Sequence, residues 1–136
     1  MLKKIGIFAI ILLCLSGCSS SPSSSNEMDV YNSRTIAFEN GYIEDLTIIV
    51  NKKHITDYEE CAKEIIKKYI NNEYQSMIFS FDFGYPAELN ATVFLSENDI
   101  DNSHPIFEMT YSQEFNTYEY NIKDNPEKFH IEITSF

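Results

Sequence analysis

The stretch Thr56-Asp57-Tyr58-Glu59-Glu60-Cys61-Ala62-Lys63-Glu64-Ile65-Ile66-Lys67-Lys68-Tyr69-Ile70-Asn71-Asn72 sets the frame for the rest of the chain. Tyr58, Cys61, Ala62, Ile65, Ile66, Tyr69 and Ile70 recur at the three-and-four spacing that gathers them on one stripe of a helix over residues 57–72. Thr56 followed by Glu59 has the form of a capping box, in which a hydroxyl and a glutamate satisfy two orphan N–H groups. On the outer face Glu59 with Lys63, and Glu64 with Lys68, stand four apart in the favourable order. Asn71-Asn72 tolerate the left-handed backbone that ends helices. The apolar stripe needs a surface to pack on, and the flanking chain has to supply it.

That surface reads as a sheet. Upstream, Ile36 and Phe38 alternate onto one face, Asn40-Gly41 suits a type I′ turn, and Leu46, Ile48 and Val50 share a face of a second strand over residues 42–51. Downstream, Met77, Phe79, Phe81 and Phe83 alternate with Ile78, Ser80 and Asp82, and Gly84-Tyr85-Pro86 turns the chain. Further alternating sets follow: Ala91, Val93 and Leu95; Phe107, Met109 and Tyr111; Tyr118, Tyr120 and Ile122; and Phe129, Ile131 and Ile133. Residues 99–105 read as a polar loop. The expected fold is α+β: one amphipathic helix on an antiparallel sheet of about six or seven strands, ββα followed by a β-meander. A partly closed barrel around the helix is the other architecture this pattern allows.

The first residues have a different character. Lys3 and Lys4 precede an apolar run over residues 5–13, then Cys14 and the tetrad Leu15-Ser16-Gly17-Cys18. Such a run is too short for a transmembrane helix, which needs roughly 20 apolar residues, and has the layout of a secretory signal. The tetrad resembles the lipobox of bacterial lipoproteins. That resemblance implies removal of residues 1–17 and attachment of a diacylglycerol to Cys18, which becomes the new N-terminus and holds the protein to the outside of the cell membrane. Two acyl chains anchor stably where one does so only marginally. The division that follows is a signal peptide at 1–17, a lipidated N-terminus and serine-rich linker at 18–30, and a single domain at 31–136. Cys61 is then the only thiol left in the mature domain, which can form no internal disulfide.

The chain has a net charge of −11, and loss of Lys3 and Lys4 takes it to −13. Twelve acidic residues stand from Glu73 onward against Lys123 and Lys128 alone. This surface repels nucleic acid and anionic headgroups and favours a cationic partner, whether a basic protein, an envelope component or metal ions.

The chemistry-bearing residues do not assemble into a catalytic motif. His54, His104 and His130 lack metal-ligand spacing, Cys61 lies on the helical stripe where a thiol behaves as a small hydrophobe, and four glycines leave little for a phosphate loop. Glu39, Glu44, Asp45, Asp82 and Glu88 could provide a carboxylate pair, with no means in the sequence of choosing among them. Glu97, Asp99, Asp101, Ser103 and Glu108 fall at EF-hand offsets, but Asn102 replaces the turn glycine, His104 fills an apolar position and the flanks read as strands. The acidic set Glu97, Asp99, Asp101 and Glu108 therefore reads as a solvated turn, and no cofactor is implied.

These observations point to a lipid-anchored binding or interaction module. A small carboxylate-dependent hydrolase and a passive structural component of the envelope are the alternatives. Replacing Cys18 by Ser is expected to abolish incorporation of a fatty-acid analogue while leaving the domain folded; label persisting on Cys18→Ser protein contradicts the anchor.

Overall fold

The structure, a computed structural model, describes residues 26–136, the side chain of Asn116 excepted. Five strands form one mixed sheet: β1 (Asp29–Phe38), β2 (Gly41–Ile49), β3 (Glu88–Phe94), β4 (Phe107–Gln113) and β5 (Phe129–Ser135), adjacent in that order. Helix α1 (Tyr58–Ile70) joins β2 to β3, and a short helix α2 (Glu97–Asp101) joins β3 to β4. The class is α+β, but the sheet has five strands and is not purely antiparallel, because β2 and β3 run parallel. The cause is the helix itself. Parallel neighbours need a long crossover connection, and the chain from β2 through α1 supplies it.

Helix α1 buries Cys61, Ala62, Ile65, Ile66 and Tyr69, as its stripe requires. These meet Leu46, Ile48, Leu89, Ala91, Val93, Phe107 and Met109 on the inner face of the sheet, and Tyr58 stacks on Phe107 with ring centres 4.9 Å apart. The cap differs from expectation. Asp57, not Thr56, is the N-cap and accepts from the Glu60 N–H at 3.0 Å, since its carboxylate sits three residues before that orphan donor. At the other end Asn72 takes φ 56°, with Asn72 N–H bonded to the Tyr69 carbonyl and Glu73 N–H to that of Lys68. This is the Schellman closure, with asparagine in the left-handed position. Glu59 pairs with Lys63 at 2.9 Å, whereas Lys68 lies over the Tyr74 ring.

The first hairpin also departs from the sequence reading. Phe38 pairs with Gly41, so the two turn residues are Glu39 and Asn40, and neither Asn40 nor Gly41 has positive φ. Glycine at 41 leaves room for its neighbour: a Cβ there would lie 3.2 Å from the Phe38 ring, which would have to shift by a few tenths of an ångström. A bulge at Tyr31 shifts the register of β1 near its start. Met28 and Val30 are buried, so the folded domain begins ahead of residue 31, inside the stretch 18–30 read as linker.

Two expected strands, over 77–83 and around 118–122, are irregular chain, and both for the same reason. The Asn72 amide donates to the Phe79 carbonyl and accepts from the Phe79 N–H, both at 2.9 Å. The Gln113 amide does the same for Tyr120, at 2.8 and 3.0 Å. In each case a side chain makes the pair of hydrogen bonds that a neighbouring strand would make. Phe79 and Phe81 still face inward, against Tyr69 at 4.7 and 5.5 Å between ring centres with Phe81 stacked on Tyr85 at 4.2 Å, whereas Phe83, expected on the same face, is exposed because the chain turns at Gly84 without a strand to hold the alternation. Asp29 ties this segment to β1, its carboxylate accepting from Gln75 N–H, Ser76 N–H and the Ser76 hydroxyl. Among the described residues no helix is long and apolar enough to cross a membrane.

Ile65→Ala is expected to cost about 2–5 kcal/mol through cavity formation, and Lys63→Ala on the exposed face no more than about 0.5 kcal/mol. Asn72→Gly keeps the left-handed backbone but removes the amide from Phe79, and is expected to cost about 1–3 kcal/mol. Denaturant midpoints of the three variants measure all of these shifts.

Candidate functional site

Along β2, residues 42, 44, 46 and 48 point to one face of the sheet, because side chains alternate with period two. Leu46 and Ile48 occupy the core, and Glu44 follows them inward, exposing only 3% of its surface. On the neighbouring strands Glu44 stands opposite Thr35 of β1 and Leu89 of β3. The Thr35 hydroxyl donates to Glu44 Oε2 at 2.8 Å, while Glu44 Oε1 is buried without a hydrogen-bond partner among the described residues. Burial pushes the Glu44 carboxyl above the ordinary carboxylate range, opposed in part by the hydroxyls of Thr35 and Ser33.

Glu44 belongs to the wall of a cavity of about 700 Å³ between the β1–β2 hairpin, α1 and the irregular segment after α1. Tyr42 and Tyr69 line it beside Glu44, Ser33 and Thr35 lie on the β1 side, and Met77 and Phe79 close the opposite side. The Tyr42 hydroxyl donates to the Gly84 carbonyl at 2.9 Å and the Ser33 hydroxyl to Met77 Sδ at 3.2 Å. Burial, followed by the nearby Tyr42 and Glu44, drives the Tyr69 hydroxyl far above a normal phenol, so this group stays protonated. Ile78 and Phe83, 85% and 97% exposed, stand at the cavity's edge.

The remaining carboxylates named from sequence are dispersed. Glu39 lies in the hairpin turn and lines the same cavity from the exposed side. Asp45 and Glu88 lie on the outer face, where Asp45 Oδ2 accepts from Arg34 at 2.7 Å and the Asn90 amide donates to both Asp45 and Glu88 at 3.0 Å. Asp82 is exposed in the irregular segment. The EF-hand offsets do not converge: Glu97, Asp99 and Asp101 fall on α2, where a polar loop was expected. The reason is local, since Asp99 accepts from the backbone N–H and hydroxyl of Ser96 and so closes a capping box. Glu108 stands on β4, exposed, opposite Thr92. Among the described residues no group of three or more His, Cys, Asp or Glu is arranged to hold a metal ion.

Cys61 is buried and its thiol is pushed up to about 11 by burial, with Glu64 adding to the shift, which leaves no thiolate for nucleophilic chemistry at neutral pH. His54 and His104 are exposed on loops, and His130 on the outer face of β5 lies 3.1 Å from Glu132. Cys18 lies outside the described residues.

A legible signal for Glu44 existed in its phase: an acid two residues before Leu46 and four before Ile48 must point where they point. Tyr42, Tyr69, Thr35 and Phe79 were invisible as site residues, because no local pattern brings a strand, a helix and a loop to one cavity. Comparison with protein-family models, with curated proteins and with solved structures finds no match. The fold and the cavity are therefore the basis for any reading of function.

A raised folded carboxyl binds its proton more tightly than the unfolded one, so the contribution of Glu44 to stability is fully present below about 4.5 and is lost as pH rises through its folded value. Glu44→Gln removes this loss. The variant is expected to gain stability relative to the unmodified protein between pH 4 and pH 7, as measured by denaturant midpoints at several pH values.

Proposed function

We propose that this chain is a membrane-anchored extracytoplasmic lipoprotein whose domain is a binding module, with the Glu44 cavity as its ligand site. The anchor rests on the leader and its Leu15-Ser16-Gly17-Cys18 tetrad. The binding role rests on one observation: Glu44 Oε1, buried and without a partner, in the wall of a cavity whose edge carries exposed Ile78 and Phe83. A buried unmet acceptor costs about 1–3 kcal/mol, more when charged, and a ligand donor that the carboxylate turns to meet recovers that cost. The cavity's volume is in the range of small-molecule sites, and its lining mixes apolar walls with a few hydroxyls, as such sites do. Only eight residues, Ser19 to Asn26, separate the domain from the proposed anchor at Cys18, so the ligand belongs to the membrane surface or its immediate surroundings.

The second reading is a carboxylate-dependent hydrolase, favoured by the raised proton affinity of Glu44, which suits a general acid. Against it, Glu39 is the only other carboxylate lining the cavity, and the cavity contains neither a histidine nor a cysteine. A ligand screen by thermal shift, run beside a hydrolase panel, separates the two. The expected result is a ligand that raises Tm in the unmodified protein and fails to do so in Glu44→Gln and Phe79→Ala, without turnover. Reproducible turnover abolished by Glu44→Gln overturns the binding-module reading in favour of the enzyme.

A further inference from the structure

The charge and ring content of the cavity narrow its ligand, an inference that rests on the cavity being the binding site. Two acidic side chains line it, Glu44 and Glu39, and among the lining residues there is no Lys, Arg or His. Elsewhere on the domain, carboxylates that are partly buried have been given donors: Asp45 has Arg34 and Asn90, Asp29 has Ser76 and Gln75, and Asp99 has Ser96. Glu44 is more buried than any of these and retains an oxygen with none. The rings of Tyr42, Tyr69 and Phe79 belong to the same lining, and the face of an aromatic ring attracts cations.

We propose that the cavity binds an organic ammonium: a protonated amine towards which the Glu44 carboxylate turns its buried Oε1, and which carries an apolar body extending past Phe79 towards Ile78 and Phe83. An ammonium answers each feature of the site. Its N–H satisfies the orphan acceptor, its charge compensates a carboxylate that no side chain of the protein neutralises, and its apolar part covers the exposed Ile78 and Phe83. A carboxylate or phosphate ligand would meet only repulsion from Glu44 and Glu39, and a neutral alcohol would satisfy the hydrogen bond but not the charge.

Phenethylammonium, phenethyl alcohol and phenylacetate share a body and differ in charge, and titration calorimetry of the full chain in detergent ranks them. The ammonium is expected to bind about tenfold tighter than the alcohol, and phenylacetate not to bind. In Glu44→Gln, with folding checked by its thermal transition, the ammonium is expected to fall to the level of the alcohol. Equal binding of ammonium and alcohol by the unmodified protein, or preference for phenylacetate, overturns the ammonium assignment and leaves the cavity as a binding site. Saturable binding of none of the three overturns both the assignment and the cavity reading.

Discussion

A single helix about 10 Å across cannot cover a sheet whose five strands span about 20 Å, and the architecture follows from how that shortfall is met. Helix α1 lays Ile65, Ile66 and Tyr69 on the inner face and reaches towards β5. The β1–β2 side is left to the irregular chain that follows the helix, which brings Tyr74, Met77, Phe79 and Phe81 into the same core. The gap that remains is the cavity over Thr35, Tyr42 and Glu44.

The loop segments hold their shape through side-chain amides. Asn72 and Gln113 each give one backbone residue its donor and its acceptor, and in this way chain that alternates like a strand is satisfied without joining a sheet. Asn72 does this from the left-handed residue that closes α1, so the end of the helix and the course of the aromatic segment are coupled. Asp29 secures the other side of the same segment. Although burial works against it, the hydrogen bonds from Ser76, Val30 and Gln75 together hold the Asp29 carboxyl below the ordinary range. Glu44 is in the opposite situation, with burial prevailing over its two hydroxyl neighbours. The two carboxylates differ because Asp29 accepts from several donors at the surface, whereas Glu44 is almost wholly buried and accepts from Thr35 on one oxygen only.

Much of the framework was legible in the chain. The stripe from Tyr58 to Ile70, the inward phase of Leu46 and Ile48, the alternation of Phe107, Met109 and Tyr111 and the core position of Cys61 are consequences of fixed periodicities, and each residue lies where its period places it. The failures cluster where periodicity is not the deciding force. Met77 to Phe83 alternates as a strand does, yet alternation reports only which side chains turn inward, not whether a neighbour exists for the backbone. Whether β2 pairs with β3 in parallel depends on a contact between residues some 45 apart, such as Asp45 with Asn90, which no local window contains.

The sequence by itself determined the helix and its buried face, the class of the fold, the inward phase of β2 to β5 though not of β1, where Ile36 is exposed and Thr35 stands beside Glu44, and, through the leader residues, the expectation of a lipid anchor at Cys18. Tertiary structure alone decided the number and direction of the strands, the fate of the aromatic segment, and the burial of Glu44 alone among the five carboxylates. The physical reason is that period and propensity act over a few neighbouring residues. A cavity and an unmet hydrogen bond arise only when β1, β2, α1 and the loop after it meet in space.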